Sequence, residues 1–171
     1  MSLFSHQPNT ILDSIIRYYE EDNIHFRQSE DSSVLKAGFR GQNGNYDLYA
    51  QAKEEQHQAL FVSYCPTKVP SSKEREVAEF LTRANNGLIL GNFEMDFEDG
   101  RVRYKTSVDL EDGHLTTNMV KRLVMTNLSM MDKYLPGLMS VIYAGASPIA
   151  ALAQVEGLTT AQMTEAEVAM N

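Results

Sequence analysis

The chain has one cysteine, Cys65, and lacks the residue patterns on which catalysis and metal binding usually depend. A single cysteine excludes an intrachain disulfide and agrees with a reducing compartment. The four histidines are scattered, with none at H-x-H or H-E-x-x-H spacing. No G-x-S-x-G, P-loop or G-x-G-x-x-G motif occurs. We therefore expect no enzyme, no metal site and no cofactor.

Long apolar runs and clustered positive charge are lacking as well. No apolar run reaches the roughly 18 residues that a membrane span needs. The first residues, MSLFSHQPNT, lack the basic region and apolar core of a signal peptide. With 23 acidic and 15 basic residues, the net charge of −8 repels nucleic acid and anionic lipid. The sequence predicts a cytoplasmic protein that binds neither nucleic acid nor membranes.

The length and composition predict one domain with a substantial core. The 171 residues are 43% hydrophobic, which is enough for one domain and short for two. We expect a polar leader over residues 1–9, a single domain over residues 10–156 and an acidic tail over residues 157–171.

The clearest local pattern is an alternating hairpin from residue 88 to residue 110. If Asp99-Gly100 is a two-residue turn, one face carries charge pairs and the other is apolar. This register pairs Glu98 with Arg101, Asp96 with Arg103, Glu94 with Lys105, Phe97 with Val102, Met95 with Tyr104 and Phe93 with Thr106. The carboxylates are then partners of cations rather than acid–base catalysts.

A second hairpin is predicted around Asn43-Gly44 as a type I′ turn. It pairs Arg40 with Asp47, Phe39 with Leu48, Ala37 with Ala50 and Leu35 with Ala52. A third strand over residues 58–65 follows a turn near Glu55-Gln56. The outer face of this sheet then carries an apolar patch, which needs a covering helix or a partner. The patch consists of Tyr49, Leu60, Val62 and Tyr64. The alternative is a register shifted by one residue, which would make this patch core.

Apolar spacing predicts three amphipathic helices and a short final one. The first, capped by Asn9 or Thr10, ends near Glu21 and uses Leu12, Ile15, Ile16 and Tyr19. The second opens with a capping box of Ser71 and Glu74 and uses Val77, Phe80, Leu81 and Ala84. The third begins at Thr116 or Thr117, is kinked or divided by Pro136, and uses Val120, Val124, Leu128, Met131, Leu135, Leu138 and Ile142. Ser147-Pro148 caps the last helix, residues 149–156.

The long helix carries a second apolar row, which widens its apolar sector beyond one sheet face. Flexible methionine side chains suit irregular cores and adaptable binding surfaces alike. We interpret the row as a candidate partner-binding surface or as core packing, and it consists of Met119, Leu123, Met130 and Tyr134.

The order of elements is helix, three strands, helix, two strands, long helix. Because strands and helices do not alternate as βαβ units, the class is α+β. We expect a twisted antiparallel sheet of about five strands, with the helices packed on one side.

Several segments together resemble the YbjN family of bacterial proteins. They are Leu90-Gly91-Asn92-Phe93-Glu94, Tyr104-Lys105, the Met- and Leu-rich helix with Pro136, and the ending Gly145-Ala146-Ser147-Pro148-Ile149-Ala150-Ala151-Leu152. The resemblance spans roughly Thr10 to Glu156. It implies a type III secretion chaperone-like fold, often used as a homodimer, and a regulatory or client-binding role. It carries over no functional residue.

These observations favour a non-enzymatic protein-binding module, a chaperone-like or regulatory adaptor whose partner is a protein client or a second copy of the chain. Strand addition at a sheet edge is one route to binding. The alternative is a small-ligand sensor with a pocket between sheet and helices.

Overall fold

A computed structural model describes residues 10–28 and 32–158. The leader over residues 1–9 and most of the predicted tail lie outside the described residues. Four α-helices are present in this part of the chain: α1 (Ile11–Glu21), α2 (Glu74–Asn85), α3 (Thr117–Tyr143) and α4 (Pro148–Glu156). The strands are β1 (Phe26–Gln28), β2 (Val34–Arg40), β3 (Asn45–Lys53), β4 (Gln58–Lys68), β5 (Asn92–Met95) and β6 (Arg101–Asp109).

The strands form one antiparallel sheet in the order β1-β2-β3-β4-β6-β5. The four described helices cover one face, which we call the inner face, and none of them covers the opposite, outer face. The α+β prediction is confirmed. The sheet has six strands rather than about five because the short segment β1 pairs with β2.

The helix α3 divides the core between the two halves of the sheet. Its first half packs with α1 against β2, β3 and β4, and its second half packs with α2 and α4 against β5 and β6. At Gly137 the helices approach so closely that an added Cβ would lie 2.6 Å from Val155 and 2.8 Å from Phe80. The long helix is therefore surrounded by partners on several sides.

Both predicted hairpin registers are wrong by two residues, although the assignment of side chains to faces is right for the residues within the strands. In the β2–β3 hairpin, Arg40 pairs with Asn45 and Leu35 with Ala50. Gly41 donates its N–H to the carbonyl of Gly44 at 2.7 Å, so the turn residues are Gln42 and Asn43. Neither Asn43 nor Gly44 has the positive φ that a type I′ turn requires.

The β5–β6 hairpin has a five-residue loop instead of the predicted two-residue turn. Glu94 pairs with Arg103, and Phe93 pairs with Tyr104. Gly100 has φ +71°, yet its role is to allow close approach to Val69, the residue that follows β4: an added Cβ would lie 2.3 Å from the carbonyl oxygen of Val69. The N–H of Val69 also donates to the carbonyl of Gly100 at 2.8 Å, so a contact with the chain just after β4 sets this loop.

The helix predictions hold with two local corrections. The α1 helix has the predicted Thr10 cap, but its buried face is rotated toward Ile11, Ser14, Ile15, Tyr18 and Tyr19. The Ser71–Glu74 capping box does not form, because Ser71–Lys73 is a 3-10 turn and α2 has no side-chain cap. The helix α3 continues through Pro136 without division, and Ser147 caps α4 as predicted.

Candidate functional site

The open outer face of the sheet carries an apolar patch at its centre, which we call the outer patch: Tyr49, Leu60, Val62 and Tyr64. These four predicted residues lie together because Tyr49 pairs with Val62 across β3 and β4, and Leu60 and Tyr64 flank Val62 on the same face of β4. The rings of Tyr49 and Tyr64 meet edge to face with centroids 5.6 Å apart. Val62 is 7% exposed although none of the four described helices packs over it. None of the four residues belongs to either core cluster, so among the described residues the patch lies on the face opposite the helices rather than in the core.

Cations border the outer patch on two sides. On the β2 side, the Lys36 ammonium lies 5.3 Å from the Tyr49 ring centroid and 2.8 Å from the Asp47 carboxylate. On the β6 side, the Arg101 guanidinium lies 6.0 Å from the Tyr64 ring centroid. The hydrogen bond to Asp47 raises the pKa of Lys36. Both tyrosine rings thus already have a cation near one face.

A single carboxylate, that of Glu94, accepts hydrogen bonds from two cations of β6. It accepts from Arg103 at 2.7 Å and also from Lys105. Burial raises the pKa of Glu94, but the hydrogen bonds from Lys105 and Arg103 outweigh it and the net pKa is lowered. The predicted pairing of Asp96 with Arg103 and of Glu98 with Arg101 is replaced by this cluster and by an Arg101–Asp99 pair.

Phe97, which the sequence pattern does not assign to the site, extends the outer patch. It was expected in the core opposite Val102, but the five-residue loop turns it outward and leaves it 61% exposed. With Tyr64, Arg101 and Arg103 it lines a shallow concavity that continues into the one over Leu60 and Val62. Strand alternation alone gave no signal for this residue.

The second predicted row belongs to the core instead of the surface. Leu123 and Tyr134 are 5% and 3% exposed, and Met119 and Met130 are half-buried against the core. The Tyr134 hydroxyl donates to Glu156 at 2.9 Å, and its ring lies 5.4 Å from that of Phe93. Leu123 and Tyr134 are therefore closed to a partner in this structure, whereas Met119 and Met130 keep part of their surface exposed.

The edge strand β5 is closed to strand addition at its centre. The N–H of Phe93 donates to the Asn85 side-chain oxygen at 2.7 Å, and the Asn85 side-chain nitrogen donates to the Phe93 carbonyl at 3.0 Å. The amide of Asn85 thus satisfies both main-chain groups that Phe93 would offer to a further strand, and it covers this edge at its centre.

Replacing Asn85 with alanine should therefore open this edge. We expect a loss of about 1–3 kcal/mol in the free energy of unfolding, since two main-chain groups lose their partners, and increased self-association on storage. Urea denaturation and light scattering measure the two effects. Asn118→Ala, at an exposed position of α3, is the matched control. Unchanged stability and scattering would contradict this role of Asn85.

The described residues contain no group of three or more His, Cys, Asp or Glu side chains placed to hold a metal ion. Cys65 is free, and burial raises the pKa of its thiol to about 11, so the reactive thiolate is disfavoured at neutral pH. Among residues 10–28 and 32–158, no helix combines the length and hydrophobicity needed to cross a membrane.

An antiparallel sheet with helices on one face and a bordered apolar patch on the other defines an open-faced α+β protein. The chain belongs to the YbjN family: the family model, described as "Putative bacterial sensory transduction regulator", matches residues 12–139. The family resemblance predicted from the sequence is confirmed.

Two solved structures are similar to the chain. The crystal structure of YbjN from E. coli, described as "a putative transcription regulator", aligns with a TM-score of 0.53 and 14% identity, covering 78% of this chain and 89% of that chain. A chain of the HopA1–SchA chaperone–effector complex aligns with a TM-score of 0.48 and 15% identity, covering 69% of this chain and 87% of that one. A search of curated proteins found no match.

Proposed function

We propose that this protein is a non-enzymatic protein-binding module of the cytoplasm, a chaperone-like or regulatory adaptor, and that the outer patch is its binding surface. The observation that carries the proposal is the composition of the open sheet face. Two tyrosines and two aliphatic residues lie at the centre, and arginine, lysine and carboxylate side chains surround them.

This arrangement matches the anatomy of protein interfaces. Such interfaces have an apolar centre in which tyrosine and arginine are enriched, with a polar rim around it. The family description as a regulator is consistent with binding of another macromolecule. Exposed Phe97 beside Tyr64 adds apolar area that a partner would remove from water.

The alternative function, a small-ligand sensor with a pocket between sheet and helices, has less support. The space between β4, β6 and the helices is filled by large side chains that are almost completely buried, including Phe61, Phe80, Tyr104, Met131 and Leu138. The two concavities that share Tyr64, Arg101 and Arg103 open on the outer face instead.

The test is photo-crosslinking in the native cell with three versions of the protein. Leu60→Ser/Tyr64→Ser disrupts the outer patch, and Ile89→Ser/Met125→Ser removes two exposed apolar side chains elsewhere. We expect the wild type and the second variant to crosslink the same proteins and the first variant to lose them. Thermal melts confirm that both variants fold. An unchanged crosslinking pattern for the patch variant would refute the proposal.

Self-association is measured separately, as mass in solution by light scattering. A dimer in the wild type that becomes a monomer in the patch variant would make a second copy of the chain the partner. A dimer that persists in the patch variant would place the dimer interface elsewhere.

A further inference from the structure

The outer face concentrates the positive charge of an acidic chain. Cross-strand partners share a face, so the register places eight of the chain's 15 Lys and Arg residues there: Arg27, Lys36, Arg40, Lys53, Lys68, Arg101, Arg103 and Lys105. The strand carboxylates on that face are Asp47, Glu94 and Asp109. Even with Asp96, Glu98 and Asp99 of the adjoining loop, the face is net positive in a chain of net charge −8.

These cations flank the apolar centre on both sides. One row of cross-strand partners on the outer face is Arg27, Lys36, Tyr49, Val62 and Lys105. The cations are at the two ends of this row and the apolar residues are in its middle. Lys36 and Lys105 are three strand spacings apart, about 14 Å at the usual spacing of roughly 4.8 Å. An α-helix with its side chains is about 10–12 Å in diameter. A helix lying over β3 and β4, midway between β2 and β6, would therefore have cations on each side of it.

From this geometry we infer that the outer patch binds an acidic amphipathic segment of another protein, whose apolar stripe covers Tyr49, Leu60, Val62 and Tyr64. Its carboxylates lie beside Lys36 on one flank and beside Arg101, Arg103 and Lys105 on the other. This inference rests on the proposed function and adds the chemistry of the partner. Charge complementarity of this kind sets specificity and speeds association.

Two other occupants fit the surface less well. A second copy bound through the same face would bring two net-positive surfaces together, because a two-fold interface places like patches against each other. Single-stranded nucleic acid needs open aromatic faces for stacking. Here Lys36 and Arg101 lie over the tyrosine rings, and Tyr49 and Tyr64 meet edge to face.

Selection from a random 16-residue peptide phage library against the full-length protein tests this inference without a known partner. We expect enrichment of peptides that combine Asp or Glu with Leu, Ile, Phe or Tyr at helical spacing. A synthetic selected peptide should bind Arg101→Gln/Arg103→Gln about tenfold more weakly than the wild type, which corresponds to about 1.4 kcal/mol. Affinity should also fall as salt is raised.

Arg75→Gln/Arg122→Gln is the matched control, because it makes the same charge change at exposed positions of α2 and α3. We expect its affinity for the peptide to lie within about twofold of the wild type. Circular dichroism and thermal melts establish that both arginine variants are folded.

The outcomes separate this inference from the proposed function. Selected peptides that are neutral or basic but lose binding to Leu60→Ser/Tyr64→Ser would overturn the acidic partner and leave the protein-binding surface standing. Selected peptides that bind the patch variant and the arginine variant as tightly as the wild type would overturn both the acidic partner and the proposed function. The absence of any enriched peptide would do the same. A 12-residue oligouridine that competes with the peptide and depends on Arg101 and Arg103 would replace the protein partner with nucleic acid.

Discussion

Replacing Asp132 with alanine is expected to lower the free energy of unfolding by about 3 kcal/mol. The Asp132 carboxylate accepts three hydrogen bonds from the β2–β3 turn and strand: from the N–H of Gln42 at 3.0 Å, the N–H of Asn43 at 2.8 Å and the Tyr46 hydroxyl at 2.8 Å. Hydrogen bonds to a charged group are stronger than those between neutral groups. Their loss would weaken the attachment of this turn to α3.

Pro136 contributes to the same contact. Because proline has no N–H, it cannot donate to the carbonyl of Asp132 four residues earlier in α3. The side-chain nitrogen of Asn43 donates to that carbonyl instead, at 2.9 Å. The proline that sequence analysis expects to kink or divide the helix thus leaves a carbonyl free, and the β2–β3 turn uses it.

Urea denaturation of Asp132→Ala, with Asp112→Ala in the exposed loop before α3 as the control, measures the effect. Tyr46→Phe removes one of the three hydrogen bonds, so its cost should be smaller in the Asp132→Ala background than alone. Equal stability of the two Asp→Ala variants, or strict additivity with Tyr46→Phe, would contradict the role assigned to Asp132.

The contribution of Asp132 should also depend on pH. Burial raises its pKa, but the hydrogen bonds from Asn43, Tyr46 and Gln42 outweigh it and the net pKa is lowered. A carboxyl whose pKa is lower in the folded state stabilises the fold above its unfolded pKa of about 3.9 and loses that effect as pH falls through its folded pKa. The stability difference between wild type and Asp132→Asn should be full at pH 7 and shrink below about pH 4.

Strand alternation predicted the faces of the sheet correctly even though both registers were wrong. A shift of two residues preserves which side chains share a face, whereas a shift of one would exchange them. Tyr49, Leu60, Val62 and Tyr64 were therefore grouped correctly. The registers failed because tertiary contacts, Asp132 with the β2–β3 turn and Gly100 with Val69, override local turn preference.

Two of the α3 residues in the predicted site, Leu123 and Tyr134, lie in the core, and the reason is different. The wide apolar sector of α3 was compared with a single sheet face, but α1, α2 and α4 also pack on this helix. Leu123 faces the cluster that includes α1, and Tyr134 contacts Phe80 of α2 and Glu156 of α4. The apolar spacing of a helix shows that a face is covered, but it does not show which distant segment covers that face.

The second large effect is expected at Asn127, which is fully buried where α3 crosses the sheet. Its side-chain nitrogen donates to the carbonyls of Phe61 in β4 and Tyr104 in β6, both at 3.0 Å. Beside it, the Thr106 hydroxyl donates to the carbonyl of Leu123 at 3.0 Å. These bonds link the middle of α3 to the two central strands, behind the outer patch.

Replacing Asn127 with alanine should cost about 3 kcal/mol in the free energy of unfolding, because two carbonyls lose a donor in a buried site and a small cavity remains. Asn127→Asp should cost more, since a carboxylate cannot donate to either carbonyl and a buried unpaired charge is strongly disfavoured. Asn118→Ala, exposed on the same helix, controls for helix propensity. Denaturation measures all three variants.

Asn127→Leu separates hydrogen bonding from simple packing, because leucine is close to asparagine in size and carries neither a donor nor a charge. If the side chain of Asn127 only filled space, leucine would be tolerated much better than alanine. If its amide links α3 to β4 and β6, leucine must cost about as much as alanine, since both leave the two carbonyls without a donor. A loss for Asn127→Leu well below that for Asn127→Ala would therefore refute the hydrogen-bonding role. The expected equality would instead indicate that a buried amide fixes the long helix to the sheet whose opposite face carries the proposed binding surface.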